Sequence, residues 1–102
     1  MAKISEHCAD CAAVLGDPCR EVNEWLDELF DALGPEHRDV RHNELGVEKV
    51  RKMWGERAAL AAEIHIRRDE GCIPKIDSTF KLRVAMSPPV RIAFINEYGN
   101  IL

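Results

Sequence analysis

The stretch Asp17-Pro18-Cys19-Arg20-Glu21-Val22-Asn23-Glu24-Trp25-Leu26-Asp27-Glu28-Leu29-Phe30-Asp31-Ala32-Leu33-Gly34-Pro35 decides the fold class. Val22, Trp25, Leu26, Leu29, Phe30 and Leu33 recur at the helical period, and Glu21, Glu24, Asp27, Glu28 and Asp31 cover the remaining surface. Asp17 followed by Pro18 is a start signal, because an acidic N-cap side chain accepts from free amides and proline at the first helical position lacks only an N–H that has no partner anyway. Gly34-Pro35 is the matching stop. The segment therefore reads as an amphipathic helix with one apolar stripe, which must be buried against other helices.

Working outward, Ile4, Cys8, Cys11 and Leu15 form one stripe of an upstream helix that Gly16 ends. Downstream, Glu36 to about Trp54 reads as a third helix with Val40, Val47, Val50 and Trp54 on one side. Gly46 inside it carries a propensity penalty of about 1 kcal/mol relative to alanine, which marks close packing or a local kink. A fourth helix, rich in alanine, runs from Glu56 to Glu70 and is stopped by Gly71, with Pro74 beyond. Trp25 and Trp54 read as core anchors. From Lys75 the pattern changes: Phe80, Leu82, Val84 and Met86 alternate with more polar or smaller residues, and Val90, Ile92 and Phe94 resume after Ser87-Pro88-Pro89. The expected architecture is mainly α, a small antiparallel helical bundle of about four helices over residues 1–74. Residues 75–102 form a C-terminal extension, either a short β-hairpin packed on the same domain or a docking tail.

Composition sets the class. A chain of 102 residues forms one domain with a modest core. With 46% hydrophobic and 31% charged residues it is too apolar for a disordered tail and too broken by charge for a membrane span. A formal charge of −4 gives no general attraction to nucleic acid or anionic lipid, so phosphate contact falls to local clusters, Arg38 with Arg41 and Arg67 with Arg68. The segment Met1 to His7 has no apolar signal-peptide region, which places the chain in a reducing cytoplasm with its four cysteines as thiols or metal ligands.

Chemistry concentrates in the histidines. Cys8-Ala9-Asp10-Cys11 with Cys19 is half of a zinc signature and needs His7, His37 or Cys72 to complete it, whereas Cys8 and Cys11 also share the apolar stripe as small buried groups. His65 lies on a small-residue face with Ala58, Ala61 and Ala62, and Asp69 follows one turn later, so the pair can ligate one metal or the carboxylate can orient the imidazole. His37, His42, Asp27 and Glu44 are the further donors, a mixed nitrogen and carboxylate set suited to zinc, manganese or iron. On one continuous helix, however, a step of ~100° per residue separates His42 from His37, and both reach one site only if the third helix bends or frays. There is no G-x-S-x-G elbow, no phosphate-binding glycine loop and no H-E-x-x-H spacing; Cys72, just past Gly71, is the best candidate for a reactive thiol.

The run Asn23-Glu24-Trp25-Leu26-Asp27, then His37-Arg38-x-x-Arg41-His42 and Gly46-Val47, resembles a group of small uncharacterised prokaryotic and phage helical proteins, a domain of unknown function. Their motifs read roughly (His/Asn)-x-Trp-x-Asp, His-Arg-x-x-x-His and a glycine before an apolar residue. The likeness spans about residues 7–71 and implies a role for His7, similar to an N-terminal histidine of that group, but none for Cys8, Cys11 or Cys19. Asn23 stands where histidine is usual, so the resemblance implies a metal site short of one nitrogen. It implies no particular reaction.

Two functions follow. One is an accessory or protein-interaction module, self-associating or partner-binding, whose histidines, aspartates and arginines form a structural polar seam. The other is a divalent-metal-binding, hydrolytic protein using His37, His42, His65 and Asp69, with Asp27 or Glu44 as further ligand or base. Contact with phosphate or nucleic acid through Arg38, Arg41, Arg67 and Arg68 is a third, weaker reading.

Overall fold

The computed structural model describes residues 2–100; Met1 and residues 101–102, the outer ends of the two ranges read from the sequence, lie outside the described residues. The chain runs α1 (Ile4–Leu15), α2 (Arg20–Asp27), α3 (Phe30–Leu33), a 3-10 turn (Gly34–His37), α4 (Arg38–Arg41), α5 (Glu44–Trp54), α6 (Glu56–Glu70), α7 (Ser78–Ala85) and α8 (Pro88–Tyr98). The fold is mainly helical, and among the described residues none is in a strand. No helix among them is long and apolar enough to cross a membrane.

α6 is the central element and packs against α1, α2 and α5. Its Ala58, Ala59, Ala61 and Ala62 are buried together with Cys11, Val22, Leu26, Val47, Val50 and Ile66. The small side chains let neighbouring helices come close enough to press functional groups together. A second core joins Val40 to Phe80, Val84, Val90 and Phe94, with Leu29 and Leu33 packed on it. Each large apolar side chain buried there contributes roughly 1.5–3 kcal/mol. Polar contacts tie this layer to the first: Tyr98 donates its hydroxyl to the Val40 carbonyl at 2.6 Å, and Arg41 bridges Glu97 (Nε to Oε1, 2.7 Å) and the Trp25 carbonyl (2.6 Å). The Arg41 guanidinium also lies 4.1 Å from the Trp25 ring centre.

The expected bundle of about four helices is subdivided, and the expected C-terminal hairpin is replaced by α7 and α8. The alternation at 80, 82, 84 and 86 also contains the helical pair Phe80 and Val84, and that pair is what the fold buries. Leu82 and Met86 are left 63% and 74% exposed. Two start signals win over the strand pattern. Asp77 accepts from the Phe80 amide at 2.9 Å as an N-cap, and Pro88-Pro89 opens α8, where proline fits the first turn. Trp54, expected in the core, is 46% exposed, whereas Trp25 packs on the first core. The second helix begins at Arg20 rather than Pro18, because Asp17 accepts from the Cys19 amide at 2.7 Å and holds Cys19 at φ 48. It is interrupted at 28–29.

The third predicted helix is broken at His42 and Asn43. His42 takes ψ 61, and Asn43 is extended, its side chain accepting from the Leu45 and Gly46 amides while donating back to the Asp39 and Val40 carbonyls. Gly46 lies directly against the Arg41 carbonyl: a Cβ built there would stand 1.8 Å from that oxygen. The close approach and the kink that the sequence left as alternatives at Gly46 are one feature.

Candidate metal centre

Four elements bring six chemically active side chains to one buried point. His7 comes from α1, Asp27 from the end of α2, His37 and His42 from the two sides of α4, and His65 and Asp69 from one face of α6. All four imidazoles are buried, and the Asp69 and Asp27 side chains are only 1% and 12% exposed. The break after Arg41 meets the condition for His37 and His42 to share a site: the 3-10 turn carries His37, and the bend at His42 turns its ring inward.

The donor atoms lie at coordination-like separations. Asp27 Oδ1 is 3.4 Å from His37 Nε2, 3.2 Å from His42 Nε2 and 3.1 Å from His65 Nε2. Asp69 Oδ2 is 3.3 Å from His7 Nε2, 3.4 Å from His65 Nε2 and 3.7 Å from His42 Nδ1. Metal bonds of ~2.0–2.1 Å set ligand-to-ligand edges of roughly 3.0–3.4 Å, the range in which most of these contacts fall. Asp27, His42, His65 and Asp69 each offer a ligand atom within 4.8 Å of the others, a group that can hold a metal ion.

What the outer edge of each ring bonds to decides which nitrogen faces inward. Asn23 donates from Nδ2 to the Pro18 and Cys19 carbonyls (3.0 and 3.2 Å), so its Oδ1 must face His65, where it accepts from Nδ1–H at 2.9 Å. His37 Nδ1 donates to the Gly34 carbonyl at 2.8 Å and His42 Nε2 to the Leu26 carbonyl at 3.0 Å, since a carbonyl only accepts. His37 and His42 thus spend their one neutral-state proton on a carbonyl and leave His37 Nε2 and His42 Nδ1 as lone pairs on the carboxylate side, the orientation that outer hydrogen bonds impose on metal-binding histidines, whereas His65 also bonds Asp27 Oδ1 through Nε2 at 3.1 Å. The inner atoms are correspondingly orphaned: His37 Nε2, His42 Nδ1, both ring nitrogens of His7, and Asp69 Oδ2 have no hydrogen-bond partner. Buried polar atoms are rarely left so, and a bound cation is one partner that inner nitrogens and a carboxylate oxygen can share.

The carboxylates and imidazoles are also coupled electrostatically. Burial pushes the Asp27 carboxyl up, but hydrogen bonding from His37, His42 and His65 outweighs it and holds the group far below the usual carboxylate range. Asp69 behaves likewise, burial being outweighed by His65 and His7. His42 is pushed down, chiefly by burial, whereas for His65 the pull of Asp27 and Asp69 overcomes burial and raises it. The two buried carboxylates carry negative charge that a divalent ion offsets.

Of the residues singled out in the sequence, His37, His42, His65, Asp69 and Asp27 converge here, while Glu44 opens α5 on the exposed surface, outside the group. The ligand set read from the sequence omits His7. Its signal was its position on the buried side of α1, one turn before Cys11 and between Ile4 and Leu15. Asn23 occupies the outer shell of the site, where it holds His65. The cysteines lie elsewhere: Cys11 is buried in the first core, Cys8 and Cys11 sulfurs receive the Asn23 amide, and Cys72 is exposed. The arginines have acidic partners, Arg38 with Glu70, Arg41 with Glu97, Arg67 with Glu63 and Arg68 with Asp10 and Glu6. A cavity of about 450 Å³ lined by Phe30, Pro35, His37 and Arg38 borders the centre on the His37 side. Comparisons with protein-family models, with curated proteins and with solved structures find no match for this chain.

Proposed function

We propose that this chain is a divalent-metal-binding protein, with zinc, manganese or iron held by Asp27, His42, His65 and Asp69 and flanked by His7 and His37. The observation that carries the reading is the set of buried inner atoms without a hydrogen-bond partner, Asp69 Oδ2 with His37 Nε2 and His42 Nδ1, the last two on rings whose other nitrogen is already bonded to a carbonyl. A fully satisfied polar seam would leave none of these buried atoms open. The resemblance to the small prokaryotic and phage proteins belongs to the same proposal, since its motif residues Asp27, His37 and His42 line the centre and Gly46 supports the bend beside it. A bound divalent ion acidifies water and polarises phosphoryl or carbonyl oxygens, so hydrolysis is the reaction class proposed. His37 is then the residue of the centre that lies between it and the cavity.

The test uses protein purified without an affinity tag, stripped by chelator and titrated with zinc or manganese while thermal unfolding is followed. At a hundredfold excess over the dissociation constant, binding to the folded state adds about 2.7 kcal/mol, a rise in Tm of roughly 10–20 °C for a domain of this size. The rise vanishes in Asp69→Asn. Metal-free protein whose unfolding ignores both ions removes the reading.

Self-association is a second reading, favoured by the groove between α1 and α6 in which Val14, 69% exposed, and Leu60, 45% exposed, stand beside Leu15 and Ile64. A mass from light scattering that stays monomeric up to millimolar concentration disposes of it.

A further inference from the structure

The stacking of His7 on His65 carries the assignment from one ion to two. The two ring centres are 3.5 Å apart and their planes are inclined by only 11°. Both Nε2 atoms lie near the same oxygen, Asp69 Oδ2, at 3.3 and 3.4 Å. An imidazole binds metal along a lone pair that lies in its ring plane, at about 2.0–2.1 Å. An ion placed midway between these near-parallel rings would stand roughly 1.7 Å out of each plane, far from either lone pair. One ion therefore cannot take both His7 and His65 in this arrangement. Two ions can, each in the plane of its own ring, separated by about the ring spacing, which matches the ~3.5–4 Å of two-metal sites.

We infer that the centre is dinuclear, with one divalent ion on His65 and a second on His7, bridged by the Asp69 carboxylate. Asp69 Oδ2 is the atom equidistant from the two nitrogens, and it has no hydrogen-bond partner, as expected of a bridging position. Asp27 Oδ1 lies 3.1 Å from His65 Nε2, and His42 Nδ1 lies 3.7 Å from the bridging Asp69 Oδ2. The contacts of His7 at the site are the stack on His65 and Asp69 Oδ2 at 3.3 Å, and its Nδ1 has no hydrogen-bond partner. Two divalent ions against two carboxylates leave a charge of +2. The ligand that completes the pair is accordingly an anion, a phosphate-like oxyanion being the class that bridges two such ions.

This inference rests on the metal-binding reading, and its test separates the two. Stripped full-length protein is loaded with manganese(II), freed of excess and analysed for bound ions per chain, alongside its electron paramagnetic resonance spectrum. The expected result is two ions and the multiline signature of exchange coupling between neighbours, falling to one ion and an uncoupled spectrum in His7→Ala. One ion in the parent protein, unaffected by His7→Ala, overturns the dinuclear assignment and leaves the metal-binding reading standing; no ion overturns both. If circular dichroism shows His7→Ala unfolded, His7→Gln, which retains most of the volume, takes its place, and the parent stoichiometry decides by itself.

Discussion

Replacing Gly46 by alanine pits two effects of opposite sign against each other. On helix propensity alone the change adds about 1 kcal/mol of stability, because Gly46 lies inside α5. The structure opposes this with the Arg41 carbonyl oxygen, 1.8 Å from the new Cβ, where real contacts essentially never fall below 3.0 Å. The two backbones must part by about 1.2 Å, and neither is the free end of a flexible side chain. Arg41 is held by Glu97 and the Trp25 carbonyl, and Asn43 ties the bend to both helices, so the strain is not relieved locally. Overpacking of this kind costs on the order of 3 kcal/mol, leaving a net loss of about 2 kcal/mol or more and a fall in Tm of roughly 8–16 °C. His42 follows Arg41 directly, and a shift above ~0.5 Å spoils a metal ligand, so affinity for manganese falls as well. Thermal unfolding by circular dichroism and a manganese titration measure the two consequences. A Gly46→Ala protein with a Tm at or above the parent's and unchanged metal affinity would show that the propensity term wins and that the bend is not held by this contact.

Three further outcomes follow from the same contacts. Asn23→Leu removes the acceptor that fixes the His65 tautomer, and zinc affinity by competition with a chelating dye is expected to drop about 10–100-fold; unchanged affinity in a folded variant contradicts the outer-shell role. In metal-free protein, depressed His42 leaves the unfolded chain binding more protons as pH falls through the unfolded value of about 6.5, so stability is lost on the acid side. Raised His65 contributes stability that is lost as pH climbs above that value. The Tm therefore peaks near pH 6.5, with a further fall below about 4 as Asp27 and Asp69 lose the advantage of their depressed values. A Tm that rises steadily from pH 5 to 9 is inconsistent with these signs. Asp77→Ala deletes the N-cap of α7 at a cost of about 1 kcal/mol, visible as faster amide exchange across 78–85; unaltered exchange there would mean that α7 is held by packing alone.

Much of the helical frame is local and was legible in the sequence. α6 runs from Glu56 to Glu70 as its alanine-rich pattern and Gly71 indicate, and Gly71 takes φ 81, a left-handed conformation that favours glycine as a helix terminator. The face carrying His65, Asp69 and the alanines follows from the helical period alone, because i to i+4 spacing is a property of the element and not of its surroundings. Helical phase also stated correctly what His37 and His42 required in order to meet.

Where the tertiary structure decided, local signals were degenerate or silent. The alternation from Phe80 to Met86 is compatible with a strand and with an i, i+4 helical pair, and only burial of Phe80, Val84, Val90 and Phe94 against Val40 chose the helix. The break at His42 depends on Asn43 capping one helix while holding the end of another, and on Gly46 accepting a carbonyl from outside its own helix. The membership of His7 and Asp27 in the centre, and the stacking of His7 on His65, arise between helices far apart in the chain. The sequence by itself determined that this protein is helical and that α6 presents a histidine and an aspartate together. Packing alone determined that four imidazoles and two carboxylates share one dry point, because convergence is set by which helix faces are buried against one another, and no single helix contains that information.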